Sequence, residues 1–158
     1  MKKYIFLVLA LLLGLSTSVF ARECSQSPEP QNGGPENCVT SVYNNSGAAL
    51  DDGDVVVWDI EQATGDNDNW VTTTTTGDTY IVAGVVEGSI GIGDSGTITV
   101  KGVTNVDWVN GATLIDTPAC SGTTAGAGRG CQTESANFGF VVTAAASNTA
   151  NVCVYCNH

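Results

Sequence analysis

The sequence predicts an all-β fold, a single β-sandwich or small β-barrel of about eight or nine short strands stapled by disulfides. Three observations predict it. Short runs rich in Val, Ile, Thr, Trp and Tyr recur along the chain, with Gly, Asp and Asn at the breaks, the composition of strands joined by turns. No window carries a helical apolar stripe; Ala144-Ala145-Ala146 comes nearest, and Ser147-Asn148 ends it within a turn. Six cysteines follow an export signal, which places them in an oxidising compartment where disulfides persist.

The export signal is residues 1–21. Lys2 and Lys3 precede an apolar run at 5–15, and Val19-Phe20-Ala21 offers a cleavage site ending in a small residue. That is a secretory signal peptide, too short and wrongly flanked for a stable membrane span. The expected location is secreted, extracellular or at the cell surface, with the periplasm as the alternative. The expected organisation is a signal peptide at 1–21, an irregular segment at 22–37 and a β domain at 38–158.

Residues 22–37 are polar and contain Pro28, Pro30, Pro35 and Gly33-Gly34, so they read as an irregular lead-in held by its cysteines. Strands are then expected at 38–44, 54–60, 69–75, 79–87, 96–101, 104–109, 112–115, 137–143 and 149–156. Thr97-Ile98-Thr99-Val100-Lys101 alternates, as a strand with one buried face does. Residues 54–58 and 81–86 are more continuously apolar, as strands covered on both sides are. The five threonines at 72–76 read as strand with an exposed face, and the glycine-rich stretch 121–130 as an exposed loop.

Cys24, Cys38, Cys120, Cys131, Cys153 and Cys156 form an even set, sufficient for three disulfides. Sequence proximity favours Cys120 with Cys131, which ties off the glycine-rich stretch. Cys153 and Cys156 sit in Asn151-Val-Cys-Val-Tyr-Cys-Asn-His158, read as a terminal strand. A spacing of three puts them on opposite faces, each seeking a different partner. Cys38 and Cys24 are the natural partners, which suits a domain whose first and last strands pair; Cys24 with Cys38 and Cys153 with Cys156 is the alternative.

The net charge is −11, with 16 acids against 5 basic residues, and beyond residue 21 only Arg22, Lys101 and Arg129 are basic. That excludes a nucleic-acid partner, because binding a phosphate backbone takes Lys and Arg to displace counterions. Gly91-Ile-Gly93-Asp-Ser-Gly96 has the spacing of a dinucleotide fingerprint, yet a strand-like run follows where a phosphate-binding helix is required. Its glycines read as turn residues. Catalysis has little to work with: His158 is the only histidine and the last residue, so no triad can be built. The expectation is a non-enzyme with no resident cofactor. Calcium, which takes six to eight oxygens, is the one metal considered. Its candidate ligands are Asp66 and Asp68 in Asp66-Asn67-Asp68-Asn69, while Asp51-Asp52-Gly53-Asp54 reads as a solvated turn. Of the tryptophans Trp58, Trp70 and Trp108, any exposed one can stack on a sugar ring; Trp70, beside that acidic cluster, is the candidate glycan contact.

Asn45-Ser-Gly47-Ala-Ala-Leu50-Asp-Asp-Gly53-Asp-Val-Val56 follows the pattern N-x-G-x-x-L-x-x-G-D-x-V. It resembles a run in the head-decoration and tail-fibre-like β modules of tailed phages. Ala83-Gly84-Val85-Val86, then Ile90, Gly93 and Gly96, then Ile98-Thr-Val100-Lys-Gly102-Val103 continue the resemblance, which spans residues 39–115 with an echo at 138–142. It implies a barrel-like module that coats or joins a larger assembly and transfers no catalytic residues. The chain departs from that family in carrying an export signal and six cysteines.

The sequence therefore leads to a secreted structural module that assembles with itself into a filament, surface layer or decoration lattice. Few charged side chains and exposed strand edges favour such self-association. A secreted glycan-binding module, assisted by calcium at Asp66 and Asp68, is the alternative.

Overall fold

A computed structural model of the chain describes residues 25–26, 37–61, 69–79, 81–109, 114–132, 136–146 and 148–155. Residues 1–21, read from the sequence as a signal peptide, and Cys24, Asp66, Asp68 and Cys156 lie outside the described residues. The described residues form ten strands: β1 (Ser25–Gln26), β2 (Cys38–Asn44), β3 (Val55–Trp58), β4 (Trp70–Thr72), β5 (Val82–Glu87), β6 (Ser95–Asp107), β7 (Pro118–Ser121), β8 (Gly128–Gly130), β9 (Gly139–Ala146) and β10 (Thr149–Val154). No α-helix occurs among the described residues. The all-β fold read from the sequence is the fold observed.

Five strands close on themselves in the order β2-β4-β3-β5-β6, and β6 pairs back to β2 to complete a barrel. All its contacts are antiparallel except β2 with β4, where Tyr43 lies opposite Trp70 in a parallel pair. Closure removes the open edges that a flat sheet would present. Val42, Leu50, Val56, Val71, Ala83, Val86, Ile90 and Ile98 fill the interior. Each buried Val, Leu or Ile among them contributes roughly 1.5–3 kcal/mol.

Strand β6 belongs to two sheets. Its first half pairs with β2 and β5, and from Gly102 to Asp107 it pairs with β10. The second sheet runs β6-β10-β9-β7-β8, and a bridge from Gly128 to Trp108, just past the end of β6, turns it back on its origin. Gly102 sits at the changeover with φ 113°, which an L side chain adopts only at a cost. Asn37 lies against Gly102 and holds the next residue, its Oδ1 accepting from the Val103 amide at 3.0 Å. The sequence reading split β6 into 96–101 and 104–109 because Gly102 looked like a break. The glycine instead bends one continuous strand.

The second sheet folds over the outer surface of β3 and β5. Val55 and Val57 from β3 and Val82 and Val85 from β5 pack there with Val106, Trp108, Phe138, Val141, Val152 and Val154. Val56, between Val55 and Val57, faces the barrel interior. Strands β3 and β5 are thus covered on both sides, as their unbroken apolar runs require. A register shift between Val56 and Val57 allows Val82 and Val85, an odd number of residues apart, to face the same core.

Four details of the sequence reading need correction. Only Thr72 of the threonine run is in a strand, because β4 pairs with β2 and β3 only through residues 70–72. Leu114 and Ile115, expected at the end of a strand, are exposed beside a turn. The stretch 121–130 is not a single exposed loop: β8 pairs with β7, and only residues 123–125 are exposed. Arg129 of β8 pairs with Asp78 at 3.1 Å and donates to the Ser121 carbonyl at 3.3 Å, which draws this stretch inward. Last, β10 ends at Val154 and Tyr155 turns left-handed with φ 43°, so the strand geometry used to place Cys156 stops two residues before it. Within the lead-in, Ser25 and Gln26 pair antiparallel with Val39 and Cys38.

Candidate binding surface

At one end of the barrel the chain folds around Asn44, a fully buried polar side chain at the close of β2. Its amide nitrogen donates to the carbonyls of Ala48, Ile90 and Gly91 at 2.9, 3.0 and 3.2 Å. Its Oδ1 accepts from the Ser46 amide at 2.8 Å and the Ser46 hydroxyl at 2.6 Å. A buried amide satisfied on both sides fixes the surrounding loops, because leaving any of these groups unpaired is costly.

That anchor sets the surface beside it. Tyr43 and Trp70 are parallel-strand partners, and both point outward while their neighbours Val42 and Val71 point in. Their rings lie 5.2 Å apart between centroids and are tilted by 38°, a geometry favourable for aromatic pairs. Tyr43 is 37% exposed and Trp70 is half-buried. Next to them the Asn45 amide donates to the Asp59 carboxylate at 2.7 Å. Backbone bonds hold this polar pair in place: Asp59 N–H to the Trp70 carbonyl at 2.9 Å, and Asn45 N–H to the Val71 carbonyl at 2.8 Å. Ile60, 70% exposed, follows Asp59 directly.

The other tryptophans serve the cores. Trp108 is 2% exposed in the second core, and Trp58 packs against the barrel interior. Trp70 alone of the three is directed outward with an aromatic neighbour. The companions expected for it, Asp66 and Asp68, fall outside the described residues. Tyr43, Asn45 and Asp59 are the groups found beside it. No local sequence signal announces them, because a parallel strand pair and a contact across β2 and β3 bring them together.

The acidic turn at 51–54 acquires a fourth carboxylate from β6. Asp107 N–H donates to the Gly53 carbonyl at 3.0 Å, and Gly53 holds φ 94°. Asp54 Oδ2 accepts from the Asp51 amide at 2.8 Å, and Asp52 Oδ1 from the Gly88 amide at 2.8 Å. Burial, with the charge of Asp107 and Asp51, pushes the Asp54 carboxyl above its usual range; the Asp51 amide works against that. Asp107 is raised likewise, by burial and then by Asp51 and Asp52. Among the described residues no group of three or more His, Cys, Asp or Glu side chains is arranged to hold a metal ion.

Cys120 and Cys131 are joined, as proximity suggested, tying β7 to the residue after β8. Cys38 and Cys153 are also in disulfides. Strands β2 and β10 do not pair with each other: both pair with β6, Cys38 opposite Lys101 and Cys153 opposite Val103. No helix among the described residues is long and apolar enough to cross a membrane.

No protein-family model matches the sequence, and no curated protein matches it. Solved structures do resemble it. The head fibre gp8.5 N base of bacteriophage phi29 superposes with a TM-score of 0.55 at 12% identity, over 77% of this chain and 99% of that one. A chain from the capsid of the Myoviridae phage XM1 superposes with a TM-score of 0.52 at 14% identity, over 88% of this chain and 96% of that one. The resemblance to tailed-phage head modules thus extends from sequence pattern to fold.

Proposed function

We propose that the chain is a structural, self-assembling β module, exported and used as a subunit of an extracellular filament, surface layer or decoration lattice. The observation that carries this reading is the shared architecture: the fold spans nearly the whole of two phage chains, a head fibre base and a chain of a capsid. Fold alone does not make function, so two further features support the reading. Exposed apolar side chains (Ile60, Ile92, Leu114 and Ile115) stand at loop positions, where they are available to a neighbouring subunit. The export signal at 1–21 and the six cysteines direct the assembly outside the cytoplasm.

The test uses the 22–158 chain, purified from an oxidising compartment. Light scattering measures its mass across a wide concentration range, and electron microscopy images the same samples. Rings, sheets or filaments are the expected result; a strict monomer throughout overturns the reading. Expression of the full chain with fractionation checks export, and retention in the cytoplasm overturns that part.

A further inference from the structure

We infer that the Tyr43–Trp70 pair, with Asp59 and Asn45, is a binding platform for a neutral oligosaccharide. The inference is independent of self-assembly and goes beyond it. Sugar recognition takes an apolar surface for the C–H face of a pyranose ring and fixed polar groups at its rim for the hydroxyls. Both are on the outer surface of the barrel. The two rings pack against each other at 5.2 Å, tilted by 38°, with Tyr43 37% exposed and Trp70 half-buried. The hydroxyl of the exposed Tyr43 is a donor and acceptor suited to a sugar hydroxyl.

The rim is built as well. Asp59 is half-buried and held by Asn45 at 2.7 Å, and backbone bonds from Asp59 to Trp70 and from Asn45 to Val71 lock the pair to the strand carrying the tryptophan. A carboxylate keeps acceptor capacity beyond that one bond, and charge-assisted bonds to hydroxyls are the stronger kind. The platform is thus rigid before a ligand arrives, which lowers the cost of binding. Charge selects the class: a carboxylate at the rim, on a chain of net charge −11, disfavours uronic, sialic or phosphorylated glycans.

The test is calorimetric titration of the 22–158 chain with cellohexaose, maltohexaose and chitohexaose. Binding of at least one is expected, weakened about tenfold in Trp70→Ala, as the loss of one aromatic stacking surface implies. Trp70→Phe, which keeps an aromatic face, should restore most of the affinity. Asp59→Ala should weaken binding about tenfold by removing the charged acceptor. Thermal melts of each variant guard against misfolding, and Tyr43→Ala is the substitute should Trp70→Ala not fold. Heat from none of the three sugars overturns the inference, as does equal affinity in the wild type and folded Trp70→Ala. Scattering on the same samples reports assembly separately, so the failure of either reading is distinguishable.

Discussion

The side-chain amide of Asn44 donates to the backbone carbonyl of Ile90 at 3.0 Å, joining the end of β2 to the loop between β5 and β6 inside a closed barrel. Leu50 meets the same residue through the backbone, Leu50 N–H to Ile90 O at 3.0 Å and Ile90 N–H to Leu50 O at 2.9 Å. One buried amide thus organises two loops around an apolar plug. Asn44→Ala leaves several of these groups without partners and should cost about 2–4 kcal/mol. Chemical denaturation checks this, and a loss below about 1 kcal/mol would show that water replaces the amide.

The two cores share β3, β5 and β6, so they should not melt separately. Leu50→Ala, in the barrel, should cost about 2–5 kcal/mol, and Phe138→Ala, in the second core, about 3–5 kcal/mol. In each variant a single transition is expected by both near- and far-ultraviolet circular dichroism. Two resolved transitions would mean that the barrel stands alone.

Gly102 should tolerate no side chain. Its φ of 113° disfavours any L residue, and a Cβ there would meet the Asn37 side chain and come within 2.8 Å of Asn37 Cα. Gly102→Ala should destabilise by about 1–3 kcal/mol through strain alone. The check is the denaturation midpoint, with Gly88→Ala as a comparison: that residue also has positive φ, but nothing lies within 4 Å of its added Cβ.

The acidic turn makes a prediction with a definite sign. Burial, reinforced by neighbouring carboxylates, raises the folded-state carboxyl pKa values of Asp54 and Asp107 above the ordinary carboxylate range. In the interval between the unfolded and folded values the native state holds more protons, so stability falls as pH rises through it. Asp107→Asn removes one of the repelling charges. It should raise stability at pH 7 by up to about 1 kcal/mol, read as a modest rise in melting temperature, since solvent screens these partly exposed groups. The gain should vanish as pH is lowered through the carboxylate range. A gain that persists below pH 3 would point to something other than charge.

Cys120 and Cys131 close a short loop, their sequence separation being 11. Replacing both with serine should cost about 2–3 kcal/mol, chiefly by freeing the unfolded chain. Comparing the denaturation midpoint of this double variant with the wild type is the measurement. Cys120 is fully buried, so mild reductants should act on this bond slowly in the native state.

The most legible parts of the fold were those where local chemistry and final environment agree. β2 matches its expected bounds because its composition reads as a strand and its burial follows. The double covering of β3 and β5 was visible as unbroken valine runs. β8 escaped notice because Gly128-Arg129-Gly130 has no strand propensity; its pairing with β7 and the pull of Asp78 on Arg129 hold it in place. The threonine run misled in the opposite direction, since β-branched residues favour strands only where a partner exists to pair with them. Trp70 was singled out from the sequence as a candidate contact, whereas Tyr43, Asn45 and Asp59, which lie beside it, were not, for they converge across strands rather than along the chain.

The sequence by itself determined the class of fold and the expectations of export and of a structural role: period, turn residues, cysteine count and charge are local or additive properties. Tertiary structure decided the rest. It made β6 one bent strand serving two sheets, closed the barrel through a parallel β2–β4 pair, and set an aromatic pair beside a fixed carboxylate. These are relations between residues distant in the chain, and alternation within a strand says which face is buried but not which strand will lie beside it.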